Sequence, residues 1–261
     1  MRRRHLIELE DLNWWPATFR NGVTEYLVTT QRASRTYLKF VPRLAEALRR
    51  SGATRIIDLC SGAGGPWPDL LPALRAQGLE LSICLTDKYP NVAALKGITR
   101  QLPGVTFEPT GINATDVPSR LVGFRTLFTA FHHFKPEKAQ AILASAIRDG
   151  QGIAIFEGTA RSPVALATMF LIPAMVWLLT PGVRPFRWGR LLWTYVLPVL
   201  PLAILFDGLI SCLRTYTPAE LLAMAQQAGG KNFDWEAGLE RPLGSPFCVP
   251  YLIGVPRHPA L

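Results

Sequence analysis

Between Arg55 and Thr159 the sequence switches repeatedly between short β-branched runs and longer stretches with helical spacing of apolar residues. RIIDLC is followed by the glycine-rich SGAGGPW and then by PDLLPALRAQG, which ends at Gly78. LSICLTD and NVAALKGITRQLPG repeat the pattern, VTFEPTGI reads as a third strand and RTLFTAFHHF as a fourth. KPEKAQAILASAIRDG, with Pro136 near its start and Gly150 after its end, predicts a helix, and QGIAIFEGT a fifth strand. Strands that alternate with helices return to the sheet in the same direction, so the pattern predicts an α/β, doubly wound, mostly parallel sheet. Further on, Thr217, Pro218 and Glu220 mark a helix start, and FDWEAGLER and VPYLIGVPR read as two closing strands.

The alternation stops at Val164. VALATMFLIPAMVWLLT and LLWTYVLPVLPLAILF are uncharged runs of 17 and 16 residues, separated by PGVRPFRWGR. Both fall short of the roughly 20 residues of a spanning helix, and Pro173, Pro198 and Pro201 interrupt them. Two crossings would also carry Arg184, Arg187 and Arg190 away from the catalytic domain, against the positive-inside tendency. A hairpin lying at the interface or dipping into one leaflet is the expectation, with the arginines at headgroup level and Trp177, Trp188 and Trp193 at the boundary. A soluble apolar lid or a dimer interface is the alternative.

Composition points the same way. Hydrophobic residues make up 49% of the 261 and charged residues 18%, so more apolar surface is present than an ordinary core requires. The net charge of +9 is compatible with nucleic acid, an anionic membrane or an acidic substrate. The basic loop is flanked by Leu, Val, Ile and Pro rather than by a polar face, which favours a membrane surface and no nucleic-acid partner. Cys60, Cys84, Cys212 and Cys248 show no metal-ligand spacing, so reduced thiols and no metal are expected. Glu8, Glu10 and Asp11 interrupt any signal-peptide core, which points to the cytoplasmic side of a membrane.

DLCSGAGG, opening at Asp58 directly after a strand, supplies the tight turn on which an adenosyl or dinucleotide cofactor rests. Asp87 ends the next strand, placed to accept hydrogen bonds from ribose hydroxyls, and GINATDVP follows the third strand, where an adenine edge would lie. Together these segments resemble the class I S-adenosylmethionine-dependent methyltransferases, over about residues 35–160 and 214–257. The resemblance implies a seven-stranded sheet with an antiparallel C-terminal hairpin and S-adenosyl-L-methionine as cofactor. Asp58, Ser61, Gly62 and Gly64 match the first motif, Asp87 the ribose acid, and Asn113 and Ala114 the adenine contact, with Ala130 on the same edge after strand four. Cys60 departs from the family's usual glycine, and Arg125 and Thr126 stand where an acid often opens strand four. Nicotinamide-dependent oxidoreduction is the competing enzyme reading, but Pro66 and Trp67 break the GxGxxG spacing it prefers.

His132 and His133, in AFHHF, and Glu157, at the end of strand five, are the candidate catalytic residues, since all three fall at the carboxyl edge of the sheet. The expected organisation is an N-terminal helical arm or lid over residues 1–50, a cofactor domain over 51–160 and 214–261, and an apolar insertion over 161–213. In the arm, Trp14, Trp15, Phe19 and Arg20 are candidates for a lid, and Tyr26 or Tyr37 for a contact with the cofactor carboxylate. The activity expected is methyl transfer to a lipid or other hydrophobic small molecule. The alternatives are a non-catalytic membrane adaptor that binds the cofactor and a nucleic-acid methyltransferase, although the sequence carries no NPPY-type element.

Overall fold

The computed structural model describes residues 1–184 and 186–257; Pro185 of the basic loop and the last four residues of the 214–261 segment lie outside the described residues. Seven strands form one sheet in the order β3-β2-β1-β4-β5-β7-β6. They are β1 (Arg55–Leu59), β2 (Ser82–Leu85), β3 (Val105–Phe107), β4 (Phe124–Phe128), β5 (Ile153–Phe156), β6 (Phe233–Glu240) and β7 (Val249–Pro256). β1 to β5 run parallel, and β7 is antiparallel to both β5 and β6. The closing pair is therefore the antiparallel hairpin that the sequence implied.

Alternate residues of each central strand enter two different cores, as the pleat requires. Ile56, Ile83, Leu85 and Phe124 pack with α2 (Val41–Ser51) and α3 (Trp67–Arg75) on one face. Ile57, Leu127, Ile153 and Ile155 pack with α5 (Pro136–Arg148) and α10 (Pro218–Gln227) on the other. Burial of β5 along its whole length explains why its sequence is continuously apolar rather than alternating, whereas the equally buried β4 carries Arg125 and Thr126. The start of α10 is a capping box in which Thr217 accepts from Glu220 N at 3.3 Å and Thr217 N donates to Glu220 Oε2 at 2.8 Å. Thr217→Ala is expected to lower the unfolding free energy by about 1 kcal/mol, measurable by urea denaturation.

The apolar segment is broken into short pieces: α6 (Pro163–Met169), α7 (Ile172–Leu179), α8 (Trp188–Leu191), a π-helical turn over Leu192–Val196, and α9 (Val199–Arg214). Pro163, Pro173 and Pro201 all stand in the first turn of a helix, where the missing N–H costs nothing. Among the described residues no single helix is long and apolar enough to cross a membrane. Two helix pairs pass by length and composition together, but they are bent by 45° and 75°.

The N-terminal arm joins this segment to the sheet. Its α1 (Ala17–Ala33) buries Val23 and Tyr26 against Val176, Leu200 and Ile204 of α7 and α9. Helix contact is close at Gly22, where a Cβ would stand 3.0 Å from Leu200 Cδ2. α4 (Val92–Gln101), capped by Asn91 accepting from Ala94 N at 3.2 Å, completes the layer beside β2 and β3.

Candidate active site

A cavity of about 240 Å³ opens at the carboxyl ends of β1, β2 and β4, which is where open parallel sheets hold ligands. Its floor is the turn after β1. Cys60 has φ 58°, a left-handed conformation that favours glycine, which explains why glycine is common at this position in the family the sequence resembles. Gly64 has φ 108°, and a Cβ there would meet Ile98 Cδ1 at 1.9 Å, so only glycine keeps this turn and its packing.

Asp58 lies beneath the turn and organises it. Its carboxylate accepts from Ser61 Oγ and from Thr126 Oγ1, each at 2.6 Å. Burial pushes the group up to about 6, opposed by these hydrogen bonds. Thr126, noted in the sequence for displacing an acid at β4, is thus the donor that holds the β1 acid in place.

Asp87 stands at the end of β2 and accepts two backbone donors, Gly62 N to Oδ2 and Tyr89 N to Oδ1, both at 2.8 Å. Each carboxylate oxygen retains acceptor capacity, and the side chain lines the cavity. Asp58, Ser61, Gly62, Asp87 and Ala130 all line it, whereas Gly64, Asn113 and Ala114 lie outside its wall. Asn113 is exposed and turns its Oδ1 onto Thr115 N and Oγ1 at 3.1 and 2.9 Å, while Ala114 is buried in the core.

The two histidines have different surroundings. His132 is buried, and its Nδ1 lies 2.7 Å from Glu157 Oε2 while its backbone N donates to Oε1 at 2.8 Å. Neither His132 nor Glu157 lines the cavity; the pair lies behind its wall and fixes the backbone from which His133 projects. His133 does line the cavity, and its Nδ1 stands 3.3 Å from both Glu8 Oε2 and Asp11 Oδ1. Burial disfavours its cation, but the Glu8, Asp11 and Glu10 carboxyls outweigh burial and push it up to about 9.

A histidine raised in this way stabilises the fold fully below its ordinary value of 6.5, and the contribution is lost as pH rises through about 9. Unfolding free energy is therefore expected to decline between about pH 7 and 9, and His133→Gln to lessen that decline. Urea titrations at the two ends of the window check it; an equally steep decline in the variant would contradict the assignment.

The roof comes from the arm: Glu10, and Arg20, Asn21, Thr24, Leu27, Val28 and Gln31 around α1. Of the aromatic lid candidates, Trp15 and Phe19 instead pack against each other with tilted rings at 5.2 Å, and Phe19 packs on Trp193 at 5.1 Å. Tyr26 is buried against the insertion, and Tyr37 is buried with its hydroxyl bonded to Thr129 Oγ1. Neither tyrosine lines the cavity, because both rings are spent on helix packing.

Glu10, Asp11, Asp207 and Arg214 were not among the site candidates read from the sequence, and they crowd around His133. Leu9 N donates to Asp207 Oδ1 at 2.7 Å, while Arg214 donates to Asp11 and to the carbonyls of His132 and His133. Glu8, His132 and His133 also bring donor atoms within 4.8 Å of one another, the spacing of a metal site. The Arg214 guanidinium, 3.3 Å from Glu8 Oε1, already supplies a cation there.

No family model matches the sequence, and no curated protein matches it. Solved structures do match its fold. Human N-acetylserotonin methyltransferase in complex with SAM aligns over 98% of this chain and 63% of its own, with a TM-score of 0.53 and 15% identity. The plantazolicin methyltransferase BpumL in complex with SAH aligns over 92% of this chain and 96% of its own, at 0.53 and 10% identity. This is the class I methyltransferase fold. The CMeT domain of the citrinin polyketide synthase agrees, with a TM-score of 0.54 at 14% identity over 97% of this chain and 60% of its own. Several of these methyltransferases are longer, so this chain spans less than two thirds of their length.

Proposed function

We propose that the chain is an S-adenosylmethionine-dependent methyltransferase acting on a lipid or other hydrophobic small molecule at the cytoplasmic surface of a membrane. The observation that carries the reading is the placement of Asp87 and the glycine turn in a cavity whose roof, α1, is packed on an exposed apolar hairpin. The residues suit the cofactor: Asp87 offers two acceptor oxygens to a ribose diol, and at Gly62 a Cβ would meet nothing within 4 Å, leaving backbone open to a ligand.

Asp87 would hold the ribose and the Ser61–Gly62–Ala63 backbone the adjoining chain, with Asp58 fixing the turn from below. When bound, the cofactor supplies an electrophilic methyl group on a sulfonium. The protein's part is to hold the acceptor at attack distance and exclude water. Leu27, Val28, Phe128 and Phe134 give the cavity an apolar wall for a hydrophobic acceptor.

Support for the membrane comes from what the insertion leaves outside. Leu178 is 75% exposed, Trp188 78% and Val196 70%, beside Phe170, Leu171 and Trp177. Apolar exposure on this scale marks an interaction surface. The basic loop contributes less than its sequence promised. Arg184 is exposed, but Arg190 is buried with its guanidinium on Glu25, and Arg187 also reaches Glu25 at 3.1 Å. The buried Glu25 carboxylate of α1 holds Arg190 inside the fold and pairs with Arg187, which stays half-exposed.

Sedimentation with phosphatidylglycerol vesicles is expected to carry the protein down, and Leu178→Ser with Trp188→Ser to weaken partitioning by about tenfold or more, as loss of two inserted apolar side chains implies. With radiolabelled cofactor and a total lipid extract, label is expected in the organic phase. Label transferred to soluble protein instead would overturn the acceptor class, and tight cofactor binding with no transfer would favour the adaptor reading.

A further inference from the structure

The order β2, β1, β4 across the sheet gives the cavity a direction. Asp87 stands after β2, the glycine turn after β1, and Ala130 and His133 after β4, all on one wall. A cofactor with its ribose on Asp87 and its chain over the glycine turn extends its reactive end toward β4. There the lining is Phe128, Thr129, Ala130, His133 and Phe134, with Glu10 from the N-terminal arm, so its ionisable groups are His133 and Glu10.

Glu10 is held in place by its neighbours while its own carboxyl is left unengaged. Leu9 N is fixed on Asp207, Glu8 N donates to Asp11 Oδ2 at 3.3 Å, and Arg214 clamps Asp11. Glu10 Oε1 is buried and takes no hydrogen bond. An unengaged buried carboxyl oxygen is costly and calls for an explanation. His133, beside it, is already committed to Glu8 and Asp11 and is held as a cation at neutral pH, so it has no free site for another proton.

Resting on the methyltransferase reading above, we propose that Glu10 is the catalytic residue that accepts the acceptor's proton, with His133 as its cationic neighbour. Glu10 takes the proton from the acceptor heteroatom as that atom bonds to the methyl carbon and the carbon–sulfur bond breaks, its electron pair remaining on sulfur. The sulfonium charge and the carboxylate charge disappear together, and the proton leaves Glu10 for solvent after product release. Burial pushes Glu10 up to about 8, with Asp207 and Glu8 adding to the rise and His133 and Arg20 opposing it. That places it near the pH at which a general base works best.

The proposal is tested without knowing the acceptor. Sinefungin carries a primary ammonium where S-adenosylmethionine carries its transferable methyl, whereas S-adenosylhomocysteine carries nothing there. Calorimetry on the full chain at about pH 8.5, above the value of about 8 to which burial pushes Glu10, is expected to show sinefungin bound about tenfold or more tightly than S-adenosylhomocysteine. Glu10→Gln is expected to bring the ratio close to one while leaving S-adenosylhomocysteine affinity unchanged. The same ratio in both proteins would overturn the proposal, as would loss of S-adenosylhomocysteine binding by a folded Glu10→Gln, which would make Glu10 part of the scaffold. Should circular dichroism show Glu10→Gln unfolded, Glu10→Asp carries the comparison. Its displaced carboxylate is expected to cut the preference about threefold or more, and an undiminished preference would overturn the proposal. Failure of the wild type to bind either compound is a different result, and removes the methyltransferase reading itself.

Discussion

Arg214→Ala is expected to lower the unfolding free energy by about 3–5 kcal/mol, the cost of stranding buried charge. The side chain is fully buried at the end of α9. Its Nη1 bonds Asp11 and stands 3.3 Å from Glu8, its Nε reaches His132 O at 3.2 Å, and its Nη2 reaches His133 O at 2.6 Å. One guanidinium thus ties the insertion to the N-terminal turn and to the loop after β4. Truncation takes from Glu8, which is 1% exposed, one of its two cations, leaving His133, and removes a donor from each of two carbonyls. Arg214→Lys keeps the charge but cannot reproduce the fork, so it is expected to recover only part of the loss. Urea denaturation gives the measurement, and a loss below about 1 kcal/mol for Arg214→Ala would show that the cluster does not hold the arm.

The consequence reaches beyond stability. The roof of the cavity belongs to the arm, whose first residues are fastened through Asp11, Leu9 and Arg3, which donates to Phe134 O at 3.0 Å. Arg3 also lies 3.8 Å over the Tyr216 ring. Weakening that fastening is therefore expected to loosen cofactor binding as well.

The sheet was legible because its strands and helices differ in period. Ile153 to Phe156 are continuously apolar, as a strand buried on both faces must be, Ile56 to Leu59 are broken only by Asp58, and Thr217 with Glu220 announces a helix start. The glycine turn after β1 was legible because left-handed backbone favours glycine at particular positions. Long-range polar contacts leave no such local trace. Arg214 meets Asp11 across 203 positions of chain, and Asp207 meets Leu9 across 198. Glu8, Glu10 and Asp11 served in the sequence only to rule out a signal core, because nothing in their spacing shows what they face.

Three other differences also depend on where the fold turns each side chain. His132 and His133 are adjacent and chemically identical, yet one is buried against Glu157 and the other faces the cavity, since successive residues of a turn point in different directions. The loop arginines looked equivalent until Glu25, more than 160 residues away, claimed Arg187 and Arg190. Asn113 was placed by analogy with the family, and its side chain closes the local turn on Thr115 instead.

The central claim, that this cavity is an S-adenosylmethionine site, is tested most directly by calorimetric titration of the cofactor into wild type and Asp87→Ala. On this assignment, removing the carboxylate placed to accept two ribose hydroxyls is expected to weaken binding about 100-fold, equivalent to about 3 kcal/mol. The exposed Asp116→Ala, outside the cavity, is expected to bind as wild type does. A folded wild type that gives no saturable heat, or an Asp87→Ala protein that binds equally well, would contradict the assignment of the site.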